Sequence, residues 1–165
     1  MTPLLEQFLS NLPTHTFEKV TDGEFNKNIW IPHDLSKFVR IQWALDSRAS
    51  ANKPSLPDII QGIVAIGYNE ILELLDNEEG ITFSKRHSRD AEDGDSQQYS
   101  IRMNEECRNH LADIVKWVQN GTIKYDDNAV FNMSDAMIAL LEAGTNRIIA
   151  NNHVTNNMWN APITD

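Results

Sequence analysis

The chain is poor in cysteine, has no long apolar run and carries no surplus of basic residues. Each shortage excludes something. A single thiol, Cys107, cannot close an internal disulfide or build a thiolate metal cluster. The longest apolar stretch, Ile59 to Ile71, is broken by Gln61, Gly62 and Gly67, too short to span a bilayer, so no membrane partner is expected. Met1 to Pro13 lacks the basic start and continuous apolar core of a signal peptide, and the expected location is cytoplasmic. His15, His33, His87, His110 and His153 are scattered, with no pair at ligand spacing on one helix, so no metal is expected. Asp126-Asp127-Asn128 lacks the ligand spacing of a calcium loop. No phosphate-cradling glycine loop, nucleophile elbow or paired-carboxylate arrangement stands out. The expectation is therefore no enzyme, no catalytic residue and no cofactor.

The net charge of -10 weighs against a nucleic-acid partner, because phosphate contacts need Lys and Arg. Its distribution softens the objection. Nine of the 24 acids lie between Glu70 and Asp95, where the only bases are Lys85, Arg86 and Arg89. The rest of the chain is close to balanced.

What is present is pattern. Leu4, Leu5, Phe8, Leu9 and Leu12 share one helical face, so residues 1–24 form an N-terminal amphipathic helix and a lead-in. Asn28-Ile29-Trp30-Ile31 alternates with the two-residue period of a half-buried strand, which Pro32 stops. From Asp34 the period becomes helical, with Leu35, Phe38, Val39 and Trp43 on one face. After a small polar loop, Ser55-Leu56-Pro57-Asp58 opens a second helix, with Ser55 placed to cap it. Residues 76–97 read as an acidic linker, with room for a short strand at Ile81 to Phe83. Gln98 to Met103 then alternates polar and apolar without a break. A helix bearing Cys107, Leu111, Ile114, Val115 and Val118 ends near Asn120-Gly121, and a capped helix opens at Asn132-Met133-Ser134-Asp135. The Asn-rich residues 151–165 make a fraying tail.

The order strand, helix, loop, capped helix thus occurs twice, at residues 25–75 and 98–150. At an offset of 77 residues, Ser55 and Asp58 fall on Asn132 and Asp135, Gly67 on Gly144, Asn69 on Asn146 and Ile71 on Ile148. At an offset of 72, Ile29 and Ile31 fall on Ile101 and Met103, Leu35 on Cys107 and Val39 on Leu111. A lone short strand leaves its backbone donors and acceptors unmet. The economical solution pairs the two strands as an antiparallel ribbon over four interlocked helices, so that one chain builds what is usually a symmetric dimer. The fold class expected is mainly α with one two-stranded β-ribbon. Gly67 and Gly144 are read as close helix packing, and Trp43 and Trp117 as core.

This arrangement resembles the ribbon-helix-helix superfamily of the Arc and MetJ repressors, over about residues 25 to 150. Its tandem form is similar to the TraY-type relaxosome proteins of conjugative plasmids. The resemblance implies that alternate ribbon residues enter the major groove of double-stranded DNA while the second helix of each unit starts against a phosphate. Carried over by position, Asn26, Asn28 and Trp30, with Gln98, Ser100 and Arg102, would touch bases. Ile29, Ile31, Tyr99, Ile101 and Met103 would face the core. Asn and Gln suit adenine and Arg suits guanine; Trp30 departs from the usual polar choice, leaving a thymine methyl or a packed neighbour as its partner. Backbone amides near Ser55, Asn132 and Ser134 would meet phosphates, although Asp58 and Asp135 bring negative charge close by.

Two uses of such a protein stay open, transcription regulation and plasmid conjugation as a DNA-processing accessory factor. A second copy could sit on neighbouring half-sites. The bland reading of the strands is a half-exposed edge whose outer face is polar because water requires it. The opposing class is an acidic protein-interaction module that binds a basic protein and has no DNA affinity. The basic island Lys85-Arg86-His87-Ser88-Arg89 is read as offsetting its acidic neighbours.

Overall fold

A computed structural model describes residues 25–49, 54–84, 97–126 and 130–151. The amphipathic N-terminal segment, the basic island and the tail beyond Asn151 lie outside the described residues. Among the described residues the protein is mainly helical. Strand β1 (Phe25–Ile31) leads into α1 (His33–Ala49) and α2 (Leu56–Asp76), and a two-residue β2 (Thr82–Phe83) follows. Strand β3 (Gln97–Met103) leads into α3 (Glu105–Gln119), then a two-residue β4 (Lys124–Tyr125), and α4 (Met133–Asn151) closes the order. No described helix is long and apolar enough to cross a membrane.

The two long strands pair with each other, antiparallel, from Phe25↔Met103 to Ile31↔Gln97, with Asn28 opposite Ser100 at the centre. The two-residue period decides which face is buried. Ile29, Ile31, Tyr99, Ile101 and Met103 all point into the core, as their alternation predicts. Beneath them lie Leu35, Phe38 and Val39 from α1, Ile59, Ile60, Ile63 and Val64 from α2, Cys107, Leu111 and Ile114 from α3, and Met137, Leu140 and Leu141 from α4. Residues matched by the repeat share their burial: Ile71 with Ile148, Leu35 with Cys107, Val39 with Leu111.

Helices α2 and α4 cross with their backbones in close contact. A Cβ on Gly67 would sit 2.0 Å from the Leu140 carbonyl oxygen, and one on Gly144 would sit 2.1 Å from the Ile63 carbonyl oxygen. Real side chains never approach so near, so both glycines are required by packing, as the sequence suggests. Next to the crossing, Arg147 Nη1 lies 2.7 Å from Glu70 Oε2 and 3.4 Å from Glu73 Oε2, tying the two helices at their rim.

One expectation needs correction. Trp43 does not join the core; it is 40% exposed, and Gln42 takes the inner position at 1%. The reason is helical geometry: from Leu35, seven residues return to within about 20° of the starting direction, whereas eight overshoot by about 80°. Trp117, by contrast, packs against the core. Within residues 76–97 the short strand expected at Ile81 to Phe83 is present as Thr82–Phe83. It pairs in parallel with Lys124–Tyr125, a strand that the sequence reading did not include. Ile81 and Ile123 are buried there, and Phe131 stacks on Phe83 and meets Tyr125 edge-on.

Candidate nucleic-acid interface

Pleating sends the remaining ribbon side chains to the opposite face, away from the core. Asn26, Asn28, Gln98, Ser100 and Arg102 are exposed, and Trp30 is half-buried. In register these six form three facing pairs: Asn26 with Arg102, Asn28 with Ser100, and Trp30 with Gln98. All six residues singled out from the sequence therefore share one surface about 5 Å from strand to strand. Neither strand contains an acidic residue, and each contributes one base, Lys27 and Arg102. The acidity sits elsewhere. Glu70, Glu73, Asp76, Glu78 and Glu79 crowd the end of α2 and the turn beyond it, with no base among residues 70–79. Helix α2 has 21 residues, which places its two ends roughly 30 Å apart at the usual rise.

Each strand is held by helices from the other half of the chain. Tyr99 of β3 shares a 2.7 Å hydrogen bond between its hydroxyl and that of Ser36 in α1 and accepts a second from Arg40 Nε at 3.3 Å. Arg40 also donates to the side-chain oxygen of Gln97. At the start of β1, the Arg108 guanidinium from α3 lies 4.5 Å over the centre of the Phe25 ring. Gln61 of α2 clamps the far end of β3: its Nε2 donates to the Arg102 carbonyl oxygen, and its Oε1 accepts from the Asn104 amide, both at 3.2 Å. That clamp fixes the backbone beneath Arg102. Sequence reasoning did not find Gln61, because a Gln within an apolar run carries no local sign of its partner.

The helix starts are less open to an anion than the sequence implied. Ser55 Oγ accepts from the Asp58 amide at 3.3 Å and Asp58 Oδ2 accepts from the Ser55 amide at 2.8 Å, a reciprocal capping box. Asn132 and Asp135 make the same pair of bonds, both at 3.0 Å. The boxes satisfy amides that a phosphate would otherwise meet, and place a carboxylate at each start. In α2 the position after Leu56 is Pro57, which has no N–H to offer. In α4 the corresponding first turn retains the amides of Met133 and Ser134 outside the box. Ser55 and Asn132 are exposed, and Ser134 is half-buried.

A second group of polar and aromatic side chains lies between α2 and α3. Tyr68 stacks on His110 with ring centres 4.0 Å apart, approaches Trp117 at 6.0 Å, and donates to Asp113 Oδ2 at 2.7 Å. Burial, helped by that hydrogen bond and the Asp113 charge, pushes the Tyr68 hydroxyl up to about 12. Burial holds His110 below the ordinary imidazole range, against the pull of Glu106 and Asp113. Burial also raises the Cys107 thiol to about 12, with Glu106 adding to it, so this cysteine is a poor nucleophile at neutral pH. Among the described residues no group of three or more His, Cys, Asp or Glu is placed to hold a metal.

No protein-family model matches the chain, and comparison with the curated proteins and with the solved structures gave no match.

Proposed function

We propose that the protein is a sequence-specific double-stranded DNA-binding protein that reads the major groove with the outer face of the β1–β3 ribbon. The single observation carrying this reading is the set of three cross-strand pairs, Asn26 with Arg102, Asn28 with Ser100 and Trp30 with Gln98, on one face of a two-stranded antiparallel ribbon. A major groove about 12 Å wide admits such a ribbon, and Asn, Gln, Ser and Arg supply the donors and acceptors that base edges require.

The tandem ribbon-helix-helix organisation is part of the same proposal, and internal symmetry supports it. The central pair of the ribbon, Asn28 and Ser100, consists of residues matched by the 72-residue offset. A two-fold axis through that pair exchanges Asn26↔Arg102 with Gln98↔Trp30, which is the observed register. The glycine crossing obeys the 77-residue offset in the same way, since Gly67 meets Leu140 and Gly144 meets Ile63. Glu70 and Arg147, joined by an ion pair, are themselves 77 apart. Transcription regulation and accessory processing of DNA in conjugation both fit this reading, and a second chain could occupy a neighbouring half-site.

The acidic-module alternative draws on one specific feature, the carboxylates of Asp58 and Asp135 fixed at the helix starts where phosphates would lie. Salt separates the two. For a DNA reader, affinity for an arbitrary duplex falls steeply between about 50 and 200 mM salt, as condensed counterions are released. Absence of any duplex shift at both salt levels, with the chain folded, would refute DNA binding and leave the basic-protein partner.

A further inference from the structure

Taking the DNA-reading role as given, we infer that the ribbon recognises a non-palindromic site and therefore binds in one orientation only. The argument starts from the register. A two-fold axis through Asn28 and Ser100 relates the two ends of the ribbon, and a true homodimer would present identical side chains at both. Here the ends differ. One end carries Asn26 beside Arg102, the other Gln98 beside Trp30.

The chemistry of those pairs is not interchangeable. The Arg102 fork matches the O6 and N7 acceptors of guanine, and Asn26 beside it matches the N6 and N7 edge of adenine. At the opposite end Gln98 again suits adenine, but the indole of Trp30 has no acceptor and a large apolar body. It is half-buried, and its exposed part is suited to the C5-methyl group of thymine. The Arg102 end therefore favours a G·C pair and the Trp30 end favours A·T. The support under the two ends differs as well. Gln61 clamps the backbone at Arg102 and Asn104, while the matching position after β1 is Pro32, which lacks the amide that such a clamp would bind. The guanine-reading end is thus the one whose backbone is tied by a side chain from α2, as precise base contact requires.

Selection of bound duplexes from a random pool by the full chain tests this. The expected product is a single asymmetric motif, with a guanine step at one end and an A·T step at the other. Arg102→Ala should erase preference at the guanine end by roughly tenfold and leave the A·T end intact. Trp30→Arg should convert the A·T end to guanine and make the motif nearly symmetric. Circular dichroism and a thermal melt establish that each variant is folded. A palindromic motif from the wild-type chain, or loss of preference at both ends in folded Arg102→Ala, overturns the orientation while leaving DNA binding in place. A pool from which no sequence is enriched, with non-specific duplex binding retained, overturns the orientation and, with it, the sequence-specific reading of the ribbon. No duplex binding at low salt overturns the reading on which it rests.

Discussion

The turn that follows β1 and the turn that follows β3 occupy matching places in the chain, yet the glutamine clamp on the second has no counterpart of its kind on the first. Gln61 gives two hydrogen bonds to the backbone at Arg102 and Asn104. In the first half the residue matching Asn104 is Pro32, and the residue matching Gln61 is the buried Ile138. The two differences belong together. Without an N–H at Pro32 a glutamine oxygen would have no donor to accept from, so a glutamine there would lose half of its clamp. At the α2–α4 crossing the glycines themselves do not diverge. Gly67 and Gly144 face backbone carbonyls at 2.0 and 2.1 Å from where a Cβ would lie. The lesson is that positions fixed by backbone contact keep one solution, whereas positions fixed by side chains diverge as matched sets.

The strongest way to break this comparison is at the crossing. Gly67→Ala or Gly144→Ala must push α2 and α4 apart, since the nearest atom to each new Cβ is a backbone carbonyl oxygen that cannot rotate away. Each should cost at least about 3 kcal/mol, at the upper end of overpacking penalties, and the two costs should agree within about 1 kcal/mol. Urea unfolding midpoints measure both. A clear inequality between them would show that the halves are not equivalent where they look most alike.

Much of this was readable in advance, and the reasons are local. The alternation in Asn28–Ile31 and Gln98–Met103 set the strands and their inner faces, because a strand buried on one side must alternate. Ser55 with Asp58, and Asn132 with Asp135, announced helix starts because a capping box is complete within four residues. Gly121, at φ 84°, ends α3 where the sequence placed the end. What escaped was long-range. Lys124–Tyr125 is a two-residue strand whose partner, in the short stretch expected at Ile81 to Phe83, lies some forty residues earlier, and nothing in the dipeptide marks the pairing. Tyr68 meeting His110, Asp113 and Trp117 is likewise a product of helix packing. The candidate DNA-reading residues were legible because their spacing alone puts them on one face. Whether a phosphate also meets those helix starts was not legible, because the same residues signal a cap with or without one.

A smaller effect is expected at the turn after β3. Gln61→Ile copies the residue found at Ile138 into a place where the amide of Asn104 and the carbonyl of Arg102 still need partners. Leaving two partly buried backbone groups unmatched should cost about 2 kcal/mol. Hydrogen exchange at the Asn104 amide should rise with it, ahead of amides in the α2–α4 crossing. A neutral result would mean that water replaces the glutamine fully, and the divergence between the halves would then carry no structural meaning.

The smallest change, and the only one expected to be favourable, is Gln42→Ile. Gln42 is 1% exposed, and neither its amide nitrogen nor its oxygen has a hydrogen-bond partner among the described residues. The residue matched to it by the 72-residue offset is Ile114, which is fully buried and apolar. Gln42 therefore retains the desolvation penalty of an amide in a position where the other half of the chain has an isoleucine. Isoleucine is shorter than glutamine but branched at Cβ, so it fills the space beside the helix while giving up reach toward the core. Removing the unpaired amide should gain about 1–2 kcal/mol, partly offset by the small void left at the side-chain tip. The net expectation is a rise in stability of about 1 kcal/mol, which corresponds to roughly 3 °C in Tm for a chain of this size. Destabilisation instead would show that Gln42 is met by a partner or water in solution, and that the two halves differ in their cores by design and not by drift.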